Sequence, residues 1–137
     1  MSIVSLGLDL TQIERLAEAE TRRGARFLER LFTPGERAYC ERRAARRHVH
    51  YAGRFAVKEA VMKALGTGWT RGVRWLDIEV VRAPGGPPEL VLHGATAALA
   101  RAKGIERWHV TITHDAGIAA AVVVAEAAGS ARLDQQS

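Results

Sequence analysis

The chain begins with an alternation of apolar and polar or small positions. Apolar residues occupy positions 4, 6, 8 and 10, and this period of two predicts a β-strand over about residues 3–9. The apolar spacing then becomes helical, and it predicts helical segments over about 12–31 and 34–47 and a long helix over about 49–65. We therefore expect one strand followed by several helices in the first half of the chain.

The second half carries the remaining predicted strands. One strand is expected around residues 75–82 and, after a Pro/Gly turn, a short one at 89–92. Residues 95–103 predict a helix that ends at Gly104. The chain closes with a predicted hairpin, which consists of a strand at 108–113, a turn at 115–117 and a return strand at 118–126.

The return strand, residues 118–126, is apolar on both faces. Its alanines and valines show no alternation, which indicates that both faces are covered. A chain of 137 residues has limited material with which to cover them. We assign residues 1–126 to one domain and expect residues 127–137, which include few large apolar side chains, to be a flexible C-terminal tail.

Composition narrows the class of protein. With 137 residues, 47% of them hydrophobic, the chain fits a single domain with its own core. Cys40 is the only cysteine, so an intrachain disulfide is excluded, and we expect this residue to pack in the core of a cytoplasmic protein. Asp9 interrupts the N-terminal apolar run, which argues against a signal peptide. The longest apolar run, residues 116–125, is too short to cross a bilayer, so no membrane partner is expected.

Positive charge is concentrated in one stretch of the chain. The net charge is +5, and between Thr21 and Arg54 there are ten arginines but only three glutamates. Such a stretch can be a solvated helix surface, a surface for nucleic-acid phosphates, or a surface that attracts an acidic protein. Aromatic residues are only 6% of the chain and no stacking platform or finger motif is present, which disfavours nucleic acid.

The long helix carries a carboxylate and an ammonium group one turn apart. Glu59 and Lys63 share a helix face with small and apolar residues, and Gly66 ends the helix. They can form a surface ion pair, worth about 0.3–0.5 kcal/mol, followed by a C-cap. Together with Asp9 they can instead bind magnesium and a phosphate, because Mg²⁺ takes one or two protein carboxylates and completes its shell with substrate phosphates. The apolar setting favours the second interpretation, since buried charges are costly unless they are paired or bind a metal.

A set of short motifs extends along almost the whole chain. In order, the motifs are Gly7-Leu-Asp9, Ile13-Glu-Arg15, Phe32-Thr33 with Glu36, Gly53-Arg-Phe-Ala-Val-Lys-Glu-Ala60, Lys63-Ala-Leu-Gly-Thr-Gly68, Asp77-Ile-Glu-Val80, Gly86-Pro-Pro88, Leu92-His-Gly94 and Trp108-His-Val-Thr-Ile-Thr-His114. In its order and spacing, over about residues 3–125, the set resembles the holo-[acyl-carrier-protein] synthases, a family of 4′-phosphopantetheinyl transferases.

The resemblance implies both a fold and an activity. The implied fold is α+β, with a small antiparallel sheet packed against a long helix and shorter helices, in a homotrimer whose active sites lie between subunits. The implied reaction moves the phosphopantetheine arm of coenzyme A onto a serine of an acidic apo acyl carrier protein and releases adenosine 3′,5′-bisphosphate. It implies Mg²⁺, with Mn²⁺ as a possible substitute, and a place in fatty acid biosynthesis in the cytoplasm.

Catalytic roles follow by the same resemblance. Asp9 and Glu59 would bind the metal, and Lys63 would neutralise or protonate the leaving group. Either Glu59 or a metal-bound water that it orients would take the serine proton. Gly66 and Gly68 would allow the backbone to approach the pyrophosphate closely.

Further positions are implied to bind the two substrates. Arg54, Thr113 and His114 would contact the 3′-phosphate end of coenzyme A, although a solvated basic helix surface would also account for Arg54 and Lys58, and a solvated strand end for His114. The docking arginines for the carrier protein would be Arg15, Arg23 and Arg26, whereas the role of the cluster from Arg42 to Arg47 stays open. The alternative function is a non-catalytic basic module that binds an acidic protein or nucleic acid.

Overall fold

The structure of the chain is a computed structural model that describes residues 2–66 and 72–128. Its strands and α-helices are, in chain order, β1 (Ser2–Gln12), α1 (Ile13–Arg23), α2 (Ala25–Leu31), α3 (Pro34–Glu41), α4 (Arg47–Leu65), β2 (Ile78–Arg82), β3 (Pro88–Leu92), α5 (Gly94–Ala102), β4 (Arg107–Asp115) and β5 (Ile118–Ala127). Two short 3₁₀ turns, Ala44–Arg46 and Trp75–Asp77, precede α4 and β2. No helix of the described residues is long and apolar enough to cross a membrane.

A three-stranded antiparallel sheet and the long helix α4 form the centre of the fold. The strand order is β1-β5-β4, and β2 and β3 form a separate antiparallel pair. Helix α4 packs on the inner face of the larger sheet, where its buried residues Ala56, Val57, Ala60 and Val61 meet alanines and valines of β5. The prediction of an α+β fold, with a small antiparallel sheet against a long helix, is confirmed.

Several element boundaries differ from the prediction. The helical segment 12–31 is divided at Gly24, whose φ of 78° lies in the left-handed region that glycine favours. The segment 34–47 ends at Glu41, and the chain turns before α4 begins. Residues 75–77 are a 3₁₀ turn rather than the start of a strand. Strand β5 ends at Ala127, one residue beyond the predicted end of the return strand.

Strand β1 turns its apolar side chains away from the core. Val4, Leu6, Leu8 and Leu10 are 42–64% exposed, while the alternate positions face α4. One of those inner positions is Gly7, where a β-carbon would lie 1.9 Å from the carbonyl oxygen of Ala60. The helix therefore crosses the strand in direct backbone contact, and this contact brings the polar inner side of β1 against α4.

A buried ion pair joins α4 to α3 and to the start of β2. Lys58 Nζ lies 2.9 Å from Glu36 Oε1, and both side chains are fully buried. The ammonium group also donates to the carbonyl oxygens of Trp75 and Ile78. Glu36 accepts from the backbone N–H of Val80 at 2.9 Å. The interpretation of Lys58 as part of a solvated basic surface is therefore wrong: the side chain finds its hydrogen-bond partners in the core.

Candidate active site

The three residues predicted to carry the chemistry come together where β1 crosses α4. Lys63 Nζ lies 3.0 Å from Asp9 Oδ1 and donates to the carbonyl oxygen of Leu8 at 3.0 Å. Asp9 is largely buried, whereas the Lys63 side chain is 56% exposed. Glu59 is half-buried one turn before Lys63. Among the ion pairs of residues 2–66 and 72–128, Lys63 is joined to Asp9 rather than to Glu59, so the arrangement is more than a helix-surface pair.

Two carboxylates repel each other at this crossing. The pKa of Glu59 is raised above its ordinary value, first by burial and then by the negative charge of Asp9, while the Lys63 ammonium opposes the shift. Among the ion pairs of residues 2–66 and 72–128, Glu59 takes part in none. Two carboxylates that line one groove supply oxygen donors of the kind that a hard divalent cation takes.

Sequence reasoning missed two residues of this cluster. Thr11 Oγ1 donates to Asp9 Oδ2 at 2.9 Å, and Gly7 permits the close crossing of the helix. Both have a signal in the sequence: Thr11 is two residues from Asp9 and shares its strand face, and a glycine inside a strand often marks close approach of another backbone.

A groove opens beside the carboxylates. It has a volume of about 440 Å³, and its lining includes Asp9, Glu59, Arg15 and Arg23, together with the aromatic rings of two phenylalanines, Phe27 and Phe55. Arg15, Arg23 and Arg26 are all exposed, but Arg26 does not line the groove. The groove thus places two of the three predicted docking arginines next to the predicted catalytic cluster.

The end of α4 shows a C-cap at Gly66. This residue has a φ of 74°, and its N–H donates to the carbonyl oxygens of Met62 and Lys63, so the N–H is engaged by the helix. A close approach of Gly66 to a pyrophosphate stays a prediction, and Gly68 lies outside the described residues.

Arg54, Thr113 and His114 line a second pocket of about 270 Å³, whose lining also includes His50 and Arg82. The structure brings together the three residues predicted to bind the 3′-phosphate end of coenzyme A, but in a pocket that shares no lining residue with the groove at Asp9. Two arginines and two histidines are among the nine residues that line this second pocket. Burial and four nearby arginines lower the pKa of His50 to about 4, so its imidazole is neutral at physiological pH.

Arg54 is buried, which corrects its interpretation as part of a solvated surface. It is 3% exposed, and its guanidinium stacks 4.0 Å from the ring centre of Tyr39. The buried Arg54 Nε has no hydrogen-bond partner among the described residues. A buried guanidinium nitrogen left unpaired is costly.

His114 has its tautomer set by a neighbour. A guanidinium nitrogen of Arg46 lies 2.9 Å from His114 Nε2, and because arginine only donates, this ring nitrogen must accept. The hydrogen of a neutral His114 therefore sits on Nδ1.

The arginine cluster from Arg42 to Arg47 is largely engaged within the chain. Arg43 stacks on Tyr39 at 3.6 Å, and Arg46 donates to His114. Arg47 forms ion pairs with Glu20 and Glu41, both at 2.8 Å, which link α1, α3 and α4. Arg43 and Arg47 therefore link residues of the helical layer, whereas Arg46 connects the turn before α4 to β4.

The remaining chemistry-bearing residues add little to the site. Cys40 is fully buried, and burial raises the pKa of its thiol to about 12, so it packs as predicted and is a poor nucleophile. Within residues 2–66 and 72–128, no group of three or more His, Cys, Asp and Glu side chains could hold a metal ion by itself. A metal at Asp9 and Glu59 would need ligands from substrate or water.

Comparison with known proteins identifies the family. The family model of the 4′-phosphopantetheinyl transferase superfamily matches residues 5–123. The holo-[acyl-carrier-protein] synthase of Anaeromyxobacter dehalogenans is 50% identical over 130 residues, with 93% of this chain and 98% of that protein covered. The corresponding synthase of Methylobacterium radiotolerans is 51% identical over 129 residues, covering 91% and 94%.

Solved structures agree with the sequence comparison. The crystal structure of the holo-[acyl-carrier-protein] synthase from Neisseria meningitidis superposes with a TM-score of 0.82 at 30% identity, covering 91% of this chain and 99% of that one. The Helicobacter pylori synthase, solved in complex with coenzyme A, gives a TM-score of 0.77 at 33% identity, covering 88% and 99%. The order of motifs, the fold and these relatives together show that the chain belongs to the 4′-phosphopantetheinyl transferase superfamily, as an enzyme of its holo-[acyl-carrier-protein] synthase family.

Proposed function

We propose that this chain transfers the 4′-phosphopantetheine arm of coenzyme A to a serine of apo acyl carrier protein, giving holo-acyl carrier protein and adenosine 3′,5′-bisphosphate. The observation that carries the proposal is the placement of Asp9, which lines one groove together with Glu59 and also contacts Lys63 Nζ at 3.0 Å. The similar synthase from Helicobacter pylori binds coenzyme A. A non-catalytic binding module would have no need for this cluster.

Asp9 and Glu59 would hold Mg²⁺, or Mn²⁺ in its place. Their fit to the ion rests on their oxygen donors and on an open groove in which substrate oxygens could complete the shell. A bound ion would neutralise charge on the pyrophosphate of coenzyme A, which is the main requirement of phosphoryl transfer.

Glu59 and Lys63 would take part in the two proton transfers of the reaction. The serine oxygen of the carrier protein attacks the β-phosphorus, and the bond to the bridging oxygen breaks. Either Glu59 or a metal-bound water that it orients would accept the serine proton. Lys63 has an exposed side chain and can turn towards the departing oxygen to neutralise it or donate a proton.

Arg54, Thr113 and His114 would bind the 3′-phosphate end of coenzyme A. The two arginines of their pocket, Arg54 and Arg82, support this role, because a guanidinium matches phosphate oxygens. With His114 Nε2 occupied by Arg46, the imidazole would offer its Nδ1–H to the phosphate.

A homotrimer with shared active sites would join the two pockets. In one subunit the carboxylate groove and the basic pocket have separate linings, so a neighbouring subunit is the natural source of the nucleotide contacts. The outer face of the larger sheet supplies an apolar surface for such contact, because the large residues of β1 and Val122 of β5 are exposed there.

The acidic carrier protein would dock on exposed arginines of α1 and α2. Arg15, Arg23 and Arg26 take part in none of the ion pairs formed among residues 2–66 and 72–128, so their charge is available to a partner. We expect Arg26→Glu to weaken carrier-protein affinity more at low salt than at high salt. An equal loss at both ionic strengths would contradict electrostatic docking. The role in fatty acid biosynthesis and the cytoplasmic location belong to the same proposal.

The test is the intact mass of apo acyl carrier protein after incubation with the chain, coenzyme A and Mg²⁺. We expect a gain of one phosphopantetheine group that disappears when a chelator is added. Glu59→Gln should abolish the gain without loss of fold. Transfer by Glu59→Gln at the wild-type rate would refute the role of the carboxylate, and no transfer by the folded wild-type protein to several carrier proteins would refute the function.

A further inference from the structure

Thr11 is a buried hydroxyl aimed at the carboxylate of Asp9. Its Oγ1 donates to Asp9 Oδ2 at 2.9 Å, and the residue is only 9% exposed. A buried hydroxyl needs a hydrogen-bond partner, and here that partner is the predicted metal ligand itself. The other oxygen of the same carboxylate, Oδ1, is 3.0 Å from Lys63 Nζ.

The two partners of Asp9 differ in how firmly they are held. Lys63 has a long side chain that is 56% exposed, and in the proposed reaction it turns to the leaving group. Thr11 is β-branched, lies in a strand paired with β5, and has a restricted χ1 angle. When Lys63 leaves the carboxylate, Thr11 is the partner that stays in place.

We propose that Thr11 is a positioning residue that fixes the Asp9 carboxylate for divalent-metal binding. The inference rests on the proposed function, because it requires the metal to bind at Asp9 and Glu59. Thr11 occupies one acceptor site on Oδ2 and fixes the plane of the carboxylate, and once Lys63 has left Oδ1 the remaining acceptor sites can bind the metal. Hydrogen bonds of this kind to a metal ligand commonly change metal affinity by about 10–100-fold.

The decisive measurement is the affinity for Mn²⁺ in the presence of saturating coenzyme A and without carrier protein, so that no turnover occurs. Free Mn²⁺ is followed by electron paramagnetic resonance. We expect Thr11→Val, which keeps the shape and removes the donor, to weaken binding about 10-fold. Thr11→Ser keeps the hydroxyl and should stay within about 3-fold of wild type, since it loses only the restriction on χ1.

Thr21→Val is the matched control. Thr21 is an exposed residue of α1 whose hydroxyl donates to the carbonyl oxygen of Ala17, and the same substitution there should leave Mn²⁺ affinity unchanged. Thr11→Ala serves as a second hydroxyl-free variant if Thr11→Val does not fold, as judged by its unfolding temperature. In turnover assays the Mg²⁺ concentration for half-maximal rate should rise for Thr11→Val, while the KM for coenzyme A at saturating Mg²⁺ stays constant.

The outcomes separate the inference from the function on which it rests. If Glu59→Gln abolishes Mn²⁺ binding but the folded hydroxyl-free variants bind as wild type does, the role of Thr11 is refuted and the metal site stands. If the wild type and Glu59→Gln show the same affinity or none, the metal site is refuted and the role of Thr11 with it. A loss in the Val and Ala variants that Ser restores supports the inference.

Discussion

Gly7→Ala tests the backbone contact that brings the site together. The added β-carbon would lie 1.9 Å from the carbonyl oxygen of Ala60 and 2.7 Å from its carbonyl carbon. Carbon and carbonyl oxygen normally approach to about 3.3 Å, so the strand and the helix would have to separate by about 1.4 Å. Both contacts are with backbone, which no rotamer change can move.

The expected effect of this substitution is large for stability and for activity. Overpacking in a core costs about 1–3 kcal/mol, and the rigid contact places Gly7→Ala at about 3 kcal/mol of lost unfolding free energy. Asp9 is two residues after Gly7 on the same strand face, and Glu59 immediately precedes Ala60, whose carbonyl group the new β-carbon would meet. A separation of about 1 Å between the two carboxylates should lower the transfer rate about 100-fold.

Urea unfolding gives the stability change, and the mass-shift assay gives the rate. Gly53→Ala is the control for stability, because its β-carbon would meet only Ile112 Cγ2, at 2.9 Å, and that methyl group can move. Alanine is also favoured over glycine in a helix by about 1 kcal/mol, so the net change for Gly53→Ala should be below about 1 kcal/mol. If Gly7→Ala unfolds at the same urea concentration as wild type and keeps its full transfer rate, the close contact between β1 and α4 is refuted.

Three further substitutions test the buried and paired charges. Lys58→Met leaves the buried Glu36 without its counter-charge and should lower the unfolding free energy by about 3–5 kcal/mol; a urea-derived loss under about 1 kcal/mol would contradict it. Glu59 has a raised pKa in the folded state, so its negative charge opposes folding once the carboxyl group ionises. Glu59→Gln should therefore unfold at a higher temperature than wild type at neutral pH. The difference in unfolding temperature should shrink as the pH falls below the pKa of Glu59. Glu20 has its pKa lowered to about 2, chiefly by hydrogen bonds from Arg47, so it stabilises the fold above its unfolded pKa and loses that effect as the pH falls towards 2. Glu20→Gln should therefore be less stable than wild type at neutral pH and equal to it near pH 2, as scanning calorimetry can show.

The sequence predicted the order of elements because that order depends on local signals, whereas the grouping of Asp9 with Glu59 and Lys63 was expected from the family resemblance. Alternation marks β1, and small residues with two glycines mark α4 and its end at Gly66. The break at Gly24 was not predictable, since a glycine inside a helical pattern is often tolerated. Buried Lys58 was missed for a different reason: a lysine on a helix gives the same sequence pattern whether it faces water or a distant glutamate such as Glu36.

Strand β1 shows why burial could not be assigned from its pattern. Apolar alternation ordinarily identifies the side that faces the core, but here the larger side chains face outwards because the backbone of α4 lies directly on Gly7. Space at the crossing is taken by helix backbone, and small or polar residues such as Asp9 and Thr11 fill the rest. The period of two therefore identifies the strand correctly, but the face with the larger apolar side chains is not the face that meets α4.

Strand β1, whose larger side chains face outwards, also connects the candidate site to the exposed face of the sheet. Leu8 projects outwards and is 56% exposed, yet its carbonyl oxygen accepts a hydrogen bond from Lys63, and the next residue is Asp9. An apolar row of this kind in water is costly, and a neighbouring copy would cover it. Packing on that face would restrain the backbone that holds Lys63 and Asp9, so assembly and ordering of the catalytic groups would be coupled through a single strand.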